Sequence, residues 1–165
     1  MPRLIVMRHA KAVDRLEAED DFERGLTERG REDAARAAAA MKSAGLTADQ
    51  ALVSPARRTR ETWAVVSETL GAPPVHDPMA LYHASTEMLE RAASELIARG
   101  AQTVAVIGHN PGIGGLAHSL AASAQAATGM PRGWPTSSVG VFDVALKDGA
   151  LTASARVLLF DPKAG

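Results

Sequence analysis

Short runs of consecutive apolar residues alternate along this chain with longer segments in which apolar positions recur every three or four residues. An uninterrupted apolar run bounded by turn residues reads as a strand buried on both faces, and the three-to-four recurrence reads as an amphipathic helix. Residues 3–8 are thus a predicted strand, and the polar, acidic stretch 9–25, with Asp14, Glu17, Glu19, Asp20, Asp21 and Glu23, a loop. Thr27 is placed to cap a helix to about Ser43, with Glu28 in its first turn, Gly45 past its end and an alanine-rich face for close packing. Residues 51–53 form a second strand. A helix follows from about Ala56 to Leu70, with Ser54 suited to the N-cap, Pro55 to the first turn and Gly71 to the end. The segment Ala72-Pro73-Pro74-Val75 must be extended or turned. Ser85 caps a helix over Thr86–Arg99, whose apolar stripe is Met88, Leu89, Ala92, Ala93, Leu96 and Ile97. Residues 103–107 are a strand, Gly112 to Leu116 open a glycine-rich helix, and 124–137 form a loop. Ser138–Leu146 and Leu151–Phe160 are two strands that Lys147-Asp148-Gly149 turns into an antiparallel hairpin. The expected fold is a three-layer α/β/α domain over residues 1–165, with a mostly parallel central sheet and an antiparallel C-terminal hairpin.

A chain of 165 residues can bury a core without staples, and with no cysteine it has neither disulfides nor thiolate metal sites. The 18 basic and 19 acidic side chains leave a formal net charge of -1, which with few aromatics argues against a nucleic-acid-binding module. Neither a signal peptide nor an apolar span of about 20 residues is evident, so a cytoplasmic protein without membrane association is expected.

Three of the predicted strands end in residues that carry chemistry. Leu4–Met7 runs into Arg8-His9-Ala10, Ala51–Val53 into Ser54-Pro55-Ala56-Arg57-Arg58, and Val104–Ile107 into Gly108-His109-Asn110-Pro111-Gly112. Ligands of open α/β sheets bind outside the carboxyl ends of the strands, so two imidazoles and several guanidiniums can meet in one crevice. No acidic residue lies within these motifs, which suits an anion, a phosphoryl group above all. Held in the first turn after a strand, the neutral imidazole of His9 can attack phosphorus with one nitrogen while the other donates a hydrogen bond. Arg8 offers a rigid fork for phosphate oxygens. Arg57 and Arg58 lie about 100° apart around a helix, so one of them enters the pocket. Gly108 permits close backbone approach, and His109 can bind a phosphoryl oxygen or stabilise transition-state charge. Each motif alone has a plainer reading, as a histidine satisfying its local backbone, an arginine at a sheet edge or a turn histidine. His76, His83 and His118 have no comparable placement, His118 reading as a packed helix residue. No histidine-carboxylate spacing suggests a metal, and no cofactor is expected.

Taken together, Met7-Arg8-His9-Ala10-Lys11-Ala12, Leu26-Thr27-Glu28-Arg29-Gly30, Val53-Ser54-Pro55-Ala56-Arg57-Arg58-Thr59 and Ile107-Gly108-His109-Asn110-Pro111-Gly112 resemble the histidine phosphatase superfamily, the phosphoglycerate-mutase-like group. Within it they look like the short phosphohistidine phosphatases of the SixA type, over residues 3 to about 115. The resemblance implies that His9 is the transiently phosphorylated nucleophile. It further implies that Arg8, Arg58 rather than Arg57, and His109 contact the phosphoryl group, with Asn110 a further candidate, and that no metal takes part. Two departures stand out. Ala10 occupies a position where many members have glycine. The leaving-group acid has no clear counterpart, since Asn110 stands where the acid phosphatase branch has aspartate, and Glu87 and His83 are only weakly matching candidates.

The expected activity is hydrolysis of protein phosphohistidine, whose labile P–N bond tolerates a missing acid. A small-molecule phosphomonoesterase acting on a sugar or nucleotide phosphate is the alternative, and a non-catalytic phosphate-binding regulatory module is a third reading. The partner is accordingly a phosphorylated protein or a small phosphorylated substrate.

Overall fold

The computed structural model describes residues 1–164. Its strands are β1 (Arg3–Arg8), β2 (Gln50–Val53), β3 (Val75–His76), β4 (Thr103–Gly108), β5 (Val139–Lys147) and β6 (Ala150–Phe160), and its α-helices α1 (Glu28–Ser43), α2 (Arg57–Val66), α3 (Thr86–Ala98) and α4 (Gly112–Ser123). The strands form one sheet in the order β3-β2-β4-β1-β5-β6. β1, β2, β3 and β4 pair in parallel, whereas β5 runs antiparallel to β1 and to β6. The expected fold class is thus the observed one, a mostly parallel sheet with an antiparallel C-terminal hairpin.

Alternation along the strands divides the core into two layers. Leu4, Val6, Val104 and Val106 point to one face and pack with α3 and α4 residues such as Leu89, Ala93, Ile113 and Leu116. Ile5, Met7, Ala105 and Ile107 point to the other and meet Ala37 and Met41 of α1 and Val66 of α2. Neighbouring strands β1 and β4 therefore lead to helices on opposite faces of the sheet. This is a topological switch point, and it opens a crevice between their carboxyl ends.

Local sequence sets most of the boundaries. The Thr27 and Ser85 side chains accept hydrogen bonds from the backbone N–H of Gly30 and Met88, capping α1 and α3. Asp148 and Gly149, at φ of 51° and 80°, close the β5–β6 turn with Lys147 paired to Ala150. Positive φ at both central residues matches the right-handed twist of the flanking strands. Gly112 is required by close approach, because a Cβ there would lie 2.2 Å from the Ala84 carbonyl oxygen.

Three expectations need correction. The second helix stops at Val66, and turns rather than helix carry the chain on through Leu70 to Gly71. Ser54 is not its N-cap; Ala56 holds that position without a side-chain cap, and the Ser54 hydroxyl is engaged elsewhere. Met88 is exposed although it fits the apolar stripe of α3, since only Leu89, Ala93 and Ile97 of that stripe are fully buried. The proline-containing segment after α2 ends in the two-residue edge strand β3. Among the described residues no helix is long and apolar enough to cross a membrane.

Candidate active site

Sheet register assembles the crevice. Arg8 pairs with Gly108 across β1 and β4, so His9 and His109 are the next residues on neighbouring strands and share a face. Their ring centroids lie 5.3 Å apart, close to the spacing of adjacent strands. Val53 pairs with Ile107, which sets Ser54 beside the same end of the sheet. Three separate sequence motifs thereby converge, and Arg58 joins them from the first turn of α2.

His9 is buried and tied down. Its Nδ1 lies 2.7 Å from the carbonyl oxygen of Ala10, which can only accept, so Nδ1 carries the proton and Nε2 keeps a lone pair. The Ala10 amide is itself anchored by donating to Thr62 Oγ1 at 2.9 Å, and the Thr62 hydroxyl donates to the Arg58 carbonyl at 2.7 Å. One turn of α2 thus fixes the backbone that orients the imidazole. Burial drives the His9 pKa from 6.5 to about 3; its bond to the Ala10 carbonyl opposes this, while His109, Arg8 and Arg58 reinforce it. The methyl of Ala10 packs with Leu26 and Ala34 in a small buried cluster.

Arg8 donates from Nη1 to the Trp134 carbonyl at 3.1 Å, and burial, followed by the charge of Arg58, lowers its pKa. Arg58 is nearly inaccessible and holds Asp21 with both terminal nitrogens, Nη1 to the carbonyl oxygen at 2.7 Å and Nη2 to Oδ2 at 3.0 Å. Arg57 points outward and pairs with Glu61 at 2.8 Å. The structure therefore brings Arg58, not Arg57, to the histidines. His109 accepts or donates at Nε2 with the Ser54 hydroxyl at 2.7 Å. Its pKa falls to about 4, through burial first and then the charges of Arg58 and His83. Arg8 Nε, Arg58 Nε and His109 Nδ1 are buried nitrogens without a protein partner. Such atoms are costly to bury unless a further hydrogen-bonding group satisfies them. Two guanidiniums and two neutral imidazoles make a crevice that favours a tetrahedral anion.

The remaining candidates separate. The Asn110 side chain accepts from Gly114 N–H at 3.0 Å and donates to the Trp134 carbonyl at 2.9 Å, so it braces the start of α4 and the loop before β5. Glu87 is exposed and lines a groove between α3 and the β5–β6 turn, away from the histidine pair, because it lies on the outer side of its helix. His83 is exposed at the rim and stacks on Tyr82 with ring centroids 3.9 Å apart. His118 bonds the Gly133 carbonyl at 2.6 Å beside Trp134, and His76 bonds Gln50 at 2.8 Å, both outside the crevice. Among the described residues no group of three or more histidine and carboxylate side chains is arranged to hold a metal.

Sequence reasoning missed Asp21, Tyr82 and the role of Ser54. The acidic stretch 9–25 folds back over α2 through two short 3-10 turns, Arg15–Glu17 and Asp21–Glu23. Asp21 accepts hydrogen bonds from Tyr82, Arg24 and Arg58. Burial opposes its charge, but these bonds prevail and hold the carboxyl well below the usual carboxylate range. Tyr82 meets His109 edge-on at 5.7 Å and lies under the Arg58 guanidinium at 5.9 Å. The signal available in the sequence was slight: Tyr82 is the one tyrosine of the chain, and Asp21 is one of six acids in a segment that looks solvated.

The sequence profile of the histidine phosphatase superfamily (branch 1) matches residues 4–81. A search of curated protein sequences finds no significant match. Among solved structures, one similar chain is assigned as the phosphohistidine phosphatase SixA of Agrobacterium tumefaciens, with 29% identity and a TM-score of 0.75, covering 87% of this chain and 92% of that one. The protein histidine phosphatase SixA complexed with tungstate is 26% identical at a TM-score of 0.75, covering 93% of this chain and 95% of its own. A mycobacterial glucosyl-3-phosphoglycerate phosphatase shares the fold alone, at 16% identity, a TM-score of 0.66 and coverage of 92% and 95%.

Proposed function

We propose that this chain is a SixA-like member of the histidine phosphatase superfamily and hydrolyses phosphohistidine on a partner protein through a transient phosphoryl group on its own His9. The observation that carries the reading is the setting of His9. The imidazole is neutral at pH 7, its Nδ1–H is spent on the Ala10 carbonyl, and its Nε2 lone pair lies among Arg8, Arg58 and His109. A nucleophile fixed in this way loses little entropy on reaching an in-line geometry.

In the first step Nε2 of His9 bonds to phosphorus as the P–N bond of the substrate breaks. The departing imidazole keeps the electron pair; with its other nitrogen already protonated it leaves neutral and needs no proton from the enzyme. The Ala10 carbonyl then steadies the cationic ring of phosphorylated His9, and Arg8, Arg58 and His109 hold the phosphoryl oxygens. In the second step water attacks phosphorus, His9 recovers its lone pair, and the water proton leaves with the phosphate.

The missing acid favours a phosphohistidine over an alkyl phosphate. Asp21, the carboxylate nearest the crevice in hydrogen-bonding terms, is kept ionised by Tyr82, Arg24 and Arg58, so it has no proton to give near neutral pH. Glu87 stands apart. An alkoxide leaving group needs a proton in the transition state, and general acid catalysis is worth about 10²–10⁴-fold. The competing reading, a small-molecule phosphomonoesterase, draws support from the fold shared with the glucosyl-3-phosphoglycerate phosphatase and from His83 at the rim. A panel of a phosphohistidine protein, phosphoramidate, and sugar and nucleotide phosphates, compared by kcat/KM, separates the two. The P–N substrates are expected to lead by about 10²-fold or more. A sugar or nucleotide phosphate that equals or exceeds every P–N compound would replace the phosphohistidine reading with the small-molecule one.

A further inference from the structure

Ser54 is a buried polar residue beside the crevice that the reaction above does not use. It follows β2, and its amide continues the ladder to the Ile107 carbonyl at 3.2 Å, so its side chain is held at the end of the sheet next to β4. Its carbonyl is fixed as well, by the Thr59 hydroxyl at 2.8 Å. The Ser54 hydroxyl has two neighbours. Ala56 N–H donates to Oγ at 3.3 Å, and His109 Nε2 lies 2.7 Å away.

A serine hydroxyl has one proton to give, and a neutral imidazole has one N–H. The hydrogen bond between Ser54 and His109 can therefore be made in two ways. If Nε2–H donates to Oγ, the oxygen receives two donors, its own proton has no acceptor among the bonds described, and Nδ1 turns a bare lone pair toward any phosphoryl oxygen. If Oγ–H donates to Nε2, both atoms of that pair are satisfied and the one donor left over is Nδ1–H. The Ala56 amide fills one lone pair of the oxygen, the hydroxyl proton fills Nε2, and Nδ1 carries the remaining N–H. Nδ1 is also the nitrogen of His109 that is buried without a protein partner. Each arrangement leaves one buried donor over, Oγ–H in the first and Nδ1–H in the second; with a tetrahedral anion in the crevice the second is preferred, because Nδ1–H then donates to the anion whereas a bare Nδ1 lone pair would face its oxygens.

We propose that Ser54 is a positioning residue that donates its hydroxyl proton to His109 Nε2 and so fixes His109 as the Nδ1–H tautomer, a neutral donor to the reacting phosphoryl group. His9 is held in the same tautomer by the Ala10 carbonyl. The two rings of the crevice thus end with opposite roles: His9 presents a lone pair at Nε2, and His109 presents a proton at Nδ1. The catalytic consequence rests on the phosphatase reading of the site, whereas the tautomer rests only on the crevice taking a tetrahedral anion.

The test is long-range 1H–15N correlation of the imidazoles in uniformly 15N-labelled protein at pH 7 with saturating inorganic phosphate, with His109 signals identified by their loss in His109→Gln. The wild-type protein is expected to show His109 protonated at Nδ1 and unprotonated at Nε2. Ser54→Ala should shift the ring to a mixture of tautomers or to Nε2–H, and Ser54→Thr, which keeps the hydroxyl, should restore the Nδ1–H pattern. Finding the Nε2–H tautomer in the wild-type protein, or an unchanged Nδ1–H pattern in a folded Ser54→Ala, would overturn the proposal. The wild-type spectrum decides the first point even if the alanine variant does not fold. With whichever P–N or phosphate ester substrate is turned over, Ser54→Ala should lower kcat by roughly 10–100-fold with a smaller change in KM, since displaced oxyanion donors act mainly in the transition state. An unchanged kcat alongside an altered tautomer would remove the catalytic role assigned to the proton. Absence of all phosphatase activity together with the expected tautomer would instead count against the reaction and leave the tautomer assignment standing.

Discussion

For the two histidines of the crevice, burial sets the charge state. His9 and His109 titrate at about 3 and about 4 rather than 6.5, so both stay neutral in the folded protein where an unfolded chain would take up protons. The sign follows directly. The unfolded state binds more protons between pH 6.5 and the folded values, so stability is full above about pH 6.5 and falls as the pH drops toward 4. Unfolding free energies from urea titrations at pH 7.5 and pH 5 should differ by on the order of 2 kcal/mol or more, and His9→Phe and His109→Phe should each flatten that difference. An equal or larger difference in both variants would show that these rings are not its source. The same shifts govern activity. The acid limb of kcat/KM, which reports the free enzyme, should lie near pH 4, and a limb at 6.5 would mean that the rings titrate as if exposed.

Elements place those residues, and α2 makes the point most sharply. Consecutive arginines in its first turn face different ways, Arg58 into the crevice and Arg57 out to Glu61. Arg57→Ala should change kcat/KM by less than about 3-fold, because an exposed pair contributes little. Arg58→Ala removes the guanidinium proposed to bind the phosphoryl group, together with its hold on Asp21, and should cost about 10²-fold or more in kcat/KM. Similar losses in the two variants would place both or neither in the site. The junction of α3 and α4 depends on Gly112, and a Cβ there meets backbone rather than a yielding side chain. Gly112→Ala should therefore lower stability by about 1–3 kcal/mol in equilibrium unfolding.

The elements also show what could be read from the chain alone. The buried strands were plain because their apolar runs are uninterrupted, and register then follows from parallel pairing, which carries His9 and His109 side by side. Thr27 and Ser85 announced their helices through the capping rule. Ser54 does not cap α2, because the helix begins at Arg57 with Ala56 at the N-cap; its hydroxyl instead meets His109, a partner 55 residues away that no local rule contains. Asp21 was hidden for a related reason. An acidic loop is solvated by default, and only the tertiary path over α2 turns one of its carboxylates onto Arg58. Met88 shows the converse, an apolar residue in helical register whose helix face is not covered.

For the whole molecule, the chemistry lies where the fold leaves a crevice, at the switch point between β1 and β4. The groups gathered there are two imidazoles and two guanidiniums with Asp21 held on Arg58, and among the described residues no three histidine and carboxylate side chains are grouped to hold a metal. Turnover should accordingly survive exhaustive treatment with a chelator; loss of activity that returns on adding zinc, magnesium or manganese would point to another mechanism. If His9 carries the phosphoryl group, rapid quenching during turnover of a 32P-labelled P–N substrate traps it there. Label should appear transiently in acid-labile, base-stable form on the peptide containing His9, and His9→Ala should lose both the label and at least about 10⁴-fold in turnover. Turnover near the wild-type rate in His9→Ala, or label on another residue, would contradict the account.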